Sequence, residues 1–316
     1  MARVCIAIAT CKRPHMLARA LSSVEKLATA HDVFVVVADN DAEARAGAAV
    51  VADMRRGGYR FPLAAIVVAE RGISQARNAL VAEAFGAAGG AADGAGKADA
   101  IAFVDDDQWV EPGWLDALLA MQQATGADVV GSDVRPEFEF PPPAWAARSG
   151  AYRDRDGHGP VAIIYGTNGT LVSARAVARL ALPWFDPAFG LTGGGDSELF
   201  HRLRDAGASF ARAGDAVIHE VYPPSRVTLR WALQRAFRIG LSDTRIVLAH
   251  QGLGRALRRH VPLIFGAVAL APLLLLARTG RTGAQVDALC TVARACGKVA
   301  ALSGYRFKEY AVTHGR

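Results

Sequence analysis

The chain has 316 residues, and a composition that is 52% hydrophobic and 21% charged excludes an intrinsically disordered protein and suffices for a large core. The net charge of +6 is uneven: residues 226–316 carry 15 Lys and Arg against 3 Asp and Glu, whereas residues 1–225 carry 21 against 27. Four cysteines without a CxxC pair or His at metal spacing argue against a disulfide framework and favour a reduced, cytosolic compartment.

The first hundred residues alternate between β-branched runs and segments with helical spacing. Strands are predicted at residues 3–10, 32–39, 63–70 and 98–107, and helices at residues 13–29 and 73–88. This order predicts a parallel sheet whose strand ends meet at the edge where such sheets bind ligands. The N-terminal apolar run lacks a signal-peptide cleavage site and fits the first strand. The Gly/Ala-rich stretch at 86–100 predicts a flexible surface loop.

The middle of the chain differs in composition from the first hundred residues. Residues 136–177 form short pieces rich in Pro, Gly and aromatic side chains, which suit a subregion built around the sheet. A glycine turn then precedes a predicted helix that opens at Asp196, a favourable position because carboxylates stabilise helix N-termini.

From residue 226 onward the chain is predicted to be helical and basic, beginning with an amphipathic helix whose apolar residues repeat every four positions. Residues 261–277 are an uncharged apolar run with two prolines, at the lower limit of the roughly 17–25 residues that a spanning helix needs. A spanning helix and an interfacial or re-entrant segment both remain open. Membrane contact is expected because cationic residues flank the run: Arg258, Arg259, His260, Arg278 and Arg281.

Three consecutive carboxylates, Asp105, Asp106 and Asp107, stand where the fourth predicted strand ends. Mg²⁺ or Mn²⁺ takes one or two carboxylates and completes its shell with waters and phosphate oxygens, so a metal-diphosphate site is one interpretation. The alternative is a turn and helix cap. Adjacent carboxylates repel each other unless a cation or donors offset the charge, which favours the metal site.

Four other residues have two interpretations each. Asp39 fits either a contact with ribose or a base edge, or an Asx turn. Arg77 fits a phosphate contact or an exposed helix position. Asp196 fits a general base or a helix cap, and His219 fits a metal ligand or a core hydrogen bond.

Six segments together resemble the inverting GT-A glycosyltransferases of family 2, in the family's order and spacing. They are AIATCKRP, VVVADND, ISQARN, FVDDDQWVEPGWL, GTNGTLVS and GGGDSELFHRL, within residues 3–240. Further stretches, such as PPPAWAARSG and HEVYPPSR, are similar to the branch of bacterial succinoglycan and exopolysaccharide biosynthesis β-glucosyltransferases. The resemblance implies an α/β class GT-A fold, with a Rossmann-like, mostly parallel sheet flanked by helices, and a C-terminal helical, membrane-associated extension.

The same resemblance implies a division of the chain. Residues 1–225 would be the catalytic domain, with a nucleotide-sugar half at about 1–110 and an acceptor half at about 111–225. Residues 226–316 would be a basic helical region that contains the apolar membrane-contact segment at 261–277.

On the donor side, the resemblance implies that Thr10 and Asp39 contact the uridine of a UDP-sugar and that Arg77 lies near the diphosphate. Asp105 and Asp107 match the DxD motif, with Asp105 on the ribose or a metal-bound water. Asp107 would bind Mg²⁺ or Mn²⁺, and we add His219 as a second metal ligand. Asp106 is grouped with the nucleotide-sugar residues but is expected to point away from the metal, because side chains alternate along a strand.

On the acceptor side, Asp196 matches the Asp of the family's Glu-Asp pair and would be the general base. Gly195 replaces the Glu of that pair, which weakens any role the family gives it. Asn168 and Glu198 are expected to contact the acceptor.

These roles imply transfer of one sugar, with glucose as the best guess, from a UDP-sugar to a lipid-diphosphate-linked oligosaccharide in bacterial exopolysaccharide synthesis. The QRAFR stretch lacks the Trp and the spacing of the Gln-x-x-Arg-Trp signature of processive synthases, which favours a single transfer. The basic tail would hold the enzyme on inner-membrane lipids at the cytoplasmic face. No nucleic-acid partner is expected, because few aromatic residues lie among the cations of the tail.

Two alternatives belong to other classes. A sugar-phosphate nucleotidyltransferase would need a glycine-rich, Arg-containing loop after the first strand, and ATCKRPHML lacks one. A membrane-bound nucleotide-sugar-binding or polysaccharide-assembly protein without turnover would not need Asp39, Asp105, Asp107 and Asp196 together.

Overall fold

The computed structural model describes residues 1–86, 97–152, 157–277, 280 and 282–305, and structural statements below refer to these residues. The expected flexible loop at 86–100 therefore lies largely outside the described residues, as do the predicted flanking cations Arg278 and Arg281. The described chain divides into two compact units. The first comprises residues 1–135 and 157–220, and the second comprises residues 136–152 and 221–305.

A single sheet organises the first unit. Its strands are β1 Arg3–Thr10, β2 Asp32–Asp39, β3 Leu63–Val67, β4 Ala100–Asp105, β5 Gln108–Val110, β6 Val129–Phe138, β7 Gly159–Val161, β8 Thr170–Ser173 and β9 Phe210–Tyr222. The strand order is β3-β2-β1-β4-β8-β6-β9-β5, and β7 pairs with β9. Strands β1 to β4 pair in parallel, whereas β8 joins β4 and β6, and β9 joins β5 and β7, in antiparallel register. The predicted α/β class with its parallel first half is confirmed.

Helices cover both faces of this sheet. They are α1 Pro14–Val24, α2 Ala46–Arg56, α3 Ile73–Phe85, α4 Trp114–Thr125, α6 Ala174–Val177 and α7 Gly195–Asp205. Alternate residues of β1 enter opposite cores, because successive strand side chains point to opposite faces. Ile6 packs in the core that contains the buried faces of α1 and α4, and Cys5 in the core that contains those of α3 and α7. Burial on both faces explains why β1, β2 and β4 read as nearly continuous apolar runs.

The second unit contains α5 Ala144–Arg148, α8 Leu229–Ala277 and α9 Thr282–Leu302. Helix α8 is interrupted at Gly252, whose φ of 77° is accessible to glycine without strain. Asp287 on α9 accepts hydrogen bonds from Ser149 Oγ (2.6 Å) and from the Gly150 amide (2.9 Å). This carboxylate therefore ties α9 to the segment that follows α5.

Two glycines allow the backbones of α8 and α9 to touch. A Cβ built on Gly297 would overlap the carbonyl oxygen of Phe237, and one built on Gly240 would overlap that of Arg294. Neither overlap can be relieved by a side-chain movement alone, because both contacts are with helix backbone.

Replacing Gly297 by Ala should therefore destabilise the second unit, by about 1–3 kcal/mol or more if the helices cannot separate. The matched control is Gly254→Ala, because Gly254 lies in α8 and a Cβ placed on it would meet nothing within 4 Å. Alanine at this exposed helix position should be neutral or slightly stabilising. Urea denaturation of both variants checks the prediction, and equal midpoints would contradict the close helix contact.

The predicted apolar segment at 261–277 is helical and forms the end of α8. Leu229–Leu276 is one helix, among the residues described, that is long and apolar enough to cross a membrane, with a mean hydropathy of 1.8 in its most apolar window. Only 11% of that window is buried, so most of this apolar surface is exposed. In α8 after Gly252, the exposed large hydrophobic side chains are Leu253, Leu257, Leu263, Phe265, Val268, Leu270, Leu273 and Leu276.

Candidate active site

Polar residues terminate three adjacent parallel strands on the same edge of the sheet. Thr10 at the end of β1 lies opposite Asp39 at the end of β2, and Ala9 lies opposite Asp105 at the end of β4. The strand register therefore brings together Thr10, Asp39 and Asp105, as the order of predicted strands indicated. An open α/β sheet binds its ligands at this edge.

Asp39 is fully buried and is engaged by its own loop. Its Oδ1 accepts a hydrogen bond from the Asp41 amide (3.1 Å), and its Oδ2 accepts one from the Ala48 amide in the first turn of α2 (2.9 Å). A side chain at Gly47 would overlap the Thr10 side chain, so α2 approaches the strand ends closely. Asp39 thus fixes the start of α2, and its predicted contact with uridine stays a prediction.

Asp106 is buried and is bound by residues at and just after the end of β1. It accepts hydrogen bonds from Thr10 Oγ1 (2.9 Å) and Arg13 Nη1 (2.9 Å) and is only 5% exposed. The same Arg13 nitrogen lies 3.4 Å from Asp107 Oδ2. Burial raises the pKa of Asp106 to about 6, although the charge of Arg13 acts in the opposite direction.

Asp106→Asn should change how stability depends on pH. In the wild type, ionising Asp106 costs more in the fold than in the unfolded chain, because its pKa rises from 3.8 to about 6. The stability that the protonated Asp106 contributes is therefore fully present at pH values below about 4. It is lost as the pH rises through about 6, which lowers the free energy of unfolding by up to about 3 kcal/mol.

Urea denaturation of both proteins at several pH values between 4 and 7 measures the effect. The wild type should lose stability relative to Asp106→Asn as the pH rises, since the asparagine cannot ionise. A stability difference that stays constant across this range would show that burial does not perturb Asp106.

Asp105 connects the acidic triplet to α3 and α7. Its Oδ1 accepts a hydrogen bond from Arg77 Nη2 (3.2 Å), and its side chain is 34% exposed. Burial raises the pKa of Asp105, Arg77 lowers it, and the negative charges of Asp107 and Asp196 raise it further. The structure thus brings Asp196 close enough to the triplet for their charges to interact.

Asp196 lies in the first turn of α7 and has one oxygen available. Its Oδ1 accepts a hydrogen bond from the Ser197 amide (2.8 Å). Its Oδ2 accepts no hydrogen bond from the described part of the chain, and a Cβ placed on Gly166 would lie 3.8 Å from it. Asn168 sits nearby, because a side chain at Gly166 would also overlap Asn168 Oδ1.

Gly195, which the resemblance aligns with the Glu of a Glu-Asp pair, has little room for a side chain. A Cβ at this position would lie 3.2 Å from Ser74 Oγ and 3.3 Å from Phe189 Cβ. A side chain beside Asp196 would therefore require Ser74 on α3 or Phe189 to shift by a few tenths of an ångström.

Glu198 forms an ion pair within α7. Its carboxylate is 2% exposed and accepts hydrogen bonds from Arg202 Nε (2.7 Å) and Nη2 (3.0 Å), one turn along α7. To contact an acceptor, the carboxylate would have to leave this buried ion pair. The expected acceptor contact of Glu198 stays a prediction.

His219 also has local partners that sequence reasoning did not identify. Its ring stacks on Trp109, with centroids 3.8 Å apart and planes 2° apart. Its Nε2 lies 3.0 Å from Glu111 Oε1, and β5 pairs with β9 so that Trp109 is opposite His219. The predicted metal ligand is thus held by an aromatic stack and a carboxylate in this structure.

Sequence reasoning missed the contacts of two residues, one beside the acidic triplet and one on α3. Arg13 links Asp106 and Asp107, and its Nε is buried without a hydrogen-bond partner among the described residues. Asn78 on α3 donates to the Phe185 carbonyl (2.7 Å) and accepts from the Phe185 amide (2.8 Å). The sequence could have predicted the place of Arg13, because a cation just after β1 lies at the same sheet edge as the carboxylates.

The carboxylates of Asp105 and Asp107 fit a hard divalent cation that needs few protein ligands. Within the ranges that the structure describes, no three or more His, Cys, Asp and Glu side chains form a closed metal site. Mg²⁺ and Mn²⁺ need only one or two carboxylates when waters and phosphate oxygens complete the shell. Asp105 and Asp107 have such oxygens. A cation bound to them would offset the repulsion between their negative charges.

Comparisons with known proteins agree with this geometry. The family model "Glycosyl transferase family 2" matches residues 5–171. The chain is 31% identical over 247 residues to the succinoglycan biosynthesis protein ExoM of Rhizobium meliloti (strain 1021), covering 77% of this chain and 74% of the relative.

Solved glycosyltransferases share the fold at low sequence identity. The mannosyltransferase PcManGT of Pyrobaculum calidifontis, in complex with GDP-Man and Mn²⁺, has a TM-score of 0.61 and 14% identity, covering 94% of this chain and 87% of that one. TarS residues 1–349 of S. aureus, in complex with UDP, has a TM-score of 0.52 and 13% identity, covering 99% and 95%. These similarities identify the GT-A fold, and with the family match they show that the chain belongs to glycosyl transferase family 2.

Proposed function

We propose that the protein is an inverting glycosyltransferase that moves one sugar from a UDP-sugar to a lipid-diphosphate-linked oligosaccharide in bacterial exopolysaccharide synthesis. The observation that carries the proposal is the proximity of Asp196, with its available Oδ2, to the carboxylates at the end of β4. Membership of the family supports sugar transfer. The Rhizobium relative, named for succinoglycan biosynthesis, supports the exopolysaccharide role.

The donor would lie along the ends of β1, β2 and β4. Thr10 and Asp39 would contact the uridine, and Arg77, whose guanidinium lies beside Asp105, would approach the diphosphate. The structural neighbours support a nucleotide-linked donor, since one is a complex with UDP and another with GDP-Man. We propose UDP-glucose as the donor, and the reason for naming glucose is the resemblance of PPPAWAARSG and HEVYPPSR to the β-glucosyltransferase branch.

Asp107, with Asp105, would hold Mg²⁺ or Mn²⁺. The mannosyltransferase neighbour, a complex with Mn²⁺, supports a divalent cation. When bound, the cation offsets the negative charge that grows on the diphosphate as the sugar leaves, a contribution of several kcal/mol. His219 could complete this shell only after its Nε2 left Glu111.

Asp196 would act as the general base. Its Oδ2 removes the proton of the acceptor hydroxyl while the hydroxyl oxygen forms a bond to the anomeric carbon and the bond to UDP breaks. Attack from the face opposite UDP gives one displacement and an inverted anomeric centre. Asn168, near Gly166 and Asp196, is proposed to contact the acceptor.

The basic helical region at residues 226–316 would bring the catalytic domain to its acceptor. We propose that residues 1–225 catalyse and that residues 226–316 bind the cytoplasmic face of the inner membrane. The exposed apolar surface after Gly252 supports lipid contact, and Arg258 and Arg259 precede the apolar run with charges that suit anionic headgroups.

A transfer assay tests the proposal and separates its alternatives. The purified full chain is incubated with radiolabelled UDP-glucose, Mn²⁺ and lipid-linked oligosaccharides, with and without EDTA. Labelled glycolipid and UDP are expected only without EDTA. Pyrophosphate released in a parallel incubation with UTP and glucose 1-phosphate would identify a nucleotidyltransferase, and nucleotide binding without any product would identify a binding protein.

A further inference from the structure

We propose that Tyr165 is the surface on which a pyranose ring of the acceptor packs while its hydroxyl reaches Asp196. This inference rests on the proposed function and names a residue for its acceptor site. Tyr165 is 42% exposed. The described part of the first unit exposes five large apolar side chains, and Tyr165 is the aromatic one among them. The five are Met1, Val67, Tyr165, Leu182 and Leu191.

The first turn of α7 fixes the position of Tyr165. The Tyr165 carbonyl accepts a hydrogen bond from Ser197 Oγ (2.6 Å), and Ser197 directly follows Asp196. Ser197 also holds His201, whose Nδ1 lies 2.7 Å from the Ser197 carbonyl. The ring of His201 is 6.1 Å from the ring of Tyr165 at an angle of 59°, so the buried histidine supports one side of the exposed aromatic residue. Tyr165 and Asp196 are therefore held by the same short segment.

The chain leaves room between Tyr165 and Asp196. The residue that follows Tyr165 is Gly166, and a Cβ there would lie 3.8 Å from Asp196 Oδ2 and would overlap Asn168 Oδ1. Any larger residue would stand beside the carboxylate oxygen that no described group engages. Glycine at this position keeps the approach to Asp196 open.

A pyranose ring has the chemistry that matches this arrangement. One face of the ring presents C–H groups, which pack on an aromatic surface, while its hydroxyls project from the rim toward polar groups. Tyrosine suits such a ligand because it combines an apolar face with a polar tip and loses little conformational freedom on binding. We assign the donor nucleotide to a different place, because its proposed contacts lie at the ends of β1 and β2.

The experiment compares Tyr165→Ala, Tyr165→Phe and Leu182→Ala in transfer from UDP-glucose to lipid-linked oligosaccharide. Leu182 is the matched control, because it is 68% exposed on the same unit. In Tyr165→Ala the acceptor KM should rise about 2- to 13-fold, since an aromatic contact contributes about 0.5–1.5 kcal/mol. Tyr165→Phe should stay within about twofold of the wild type, and the donor KM should be unchanged in all variants.

Two results would overturn the proposal: an unchanged acceptor KM in Tyr165→Ala, or a rise in the donor KM alone. Failure of the proposed function is distinguishable, because the wild type would then bind nucleotide without transferring sugar. In that case saturation-transfer NMR with a soluble β-glucan oligosaccharide decides the inference. Loss of the sugar signals in Tyr165→Ala, with the urea midpoint unchanged, supports the contact, and unchanged signals refute it.

Discussion

Asp196→Asn should reduce the kcat of sugar transfer by about 10²- to 10⁴-fold, the usual contribution of a general base. Asparagine has nearly the shape of aspartate and can still accept the hydrogen bond from the Ser197 amide, so the start of α7 should persist. The amide cannot take the proton of the acceptor hydroxyl. Because Asp196 lies on the acceptor side, the KM for the UDP-sugar should stay within about twofold.

Asp205→Asn is the matched control for this variant. Asp205 ends the same helix, is 52% exposed and pairs only locally with Arg204. Its loss should leave kcat unchanged. A kcat within a few fold of the wild type in Asp196→Asn would remove Asp196 from the role of base.

Asp107→Asn should abolish most metal-dependent transfer, with a fall of about 10²- to 10³-fold that corresponds to several kcal/mol of lost stabilisation. The fall should be accompanied by weaker Mn²⁺ binding in the presence of UDP, measured by electron paramagnetic resonance. Arg13 should then pair with Asp106 alone, since its Nη1 already lies closer to Asp106 than to Asp107.

Asp53→Asn provides the control for metal binding, because Asp53 lies on α2 with 69% of its side chain exposed. That variant should bind Mn²⁺ and transfer sugar as the wild type does. Undiminished Mn²⁺ binding in Asp107→Asn would show that the cation has other ligands.

The parallel half of the sheet was predictable from the chain, and the antiparallel half was not. Strands β1 and β2 are buried on both faces, so their sequences are long β-branched runs whose ends match the predicted limits. Strands β5, β7 and β8 have three or four residues each. Segments this short carry little periodicity, and their pairing with β4 and β9 depends on contacts distant in sequence.

The convergence of side chains at the sheet edge followed from the strand order, whereas individual contacts needed the structure. Thr10, Asp39 and Asp105 each end a parallel strand, so their proximity was implied by topology. The stack of His219 on Trp109 joins residues 110 positions apart, and no local pattern encodes it.

The ion-pair partner of Glu198, in contrast, could be predicted from the sequence. Glu198 and Arg202 have the i, i+4 spacing of a helical ion pair, which favours contact with each other over contact with a ligand.

The stereochemistry of the first product tests the account most directly. The full chain is given UDP-α-glucose, Mn²⁺ and acceptor, and the anomeric proton of the new linkage is followed by NMR from the earliest time point. Attack assisted by Asp196 in one displacement predicts a β linkage in the wild type and almost no product in Asp196→Asn. An α linkage would contradict the account, because it would require two displacements or a different face of attack.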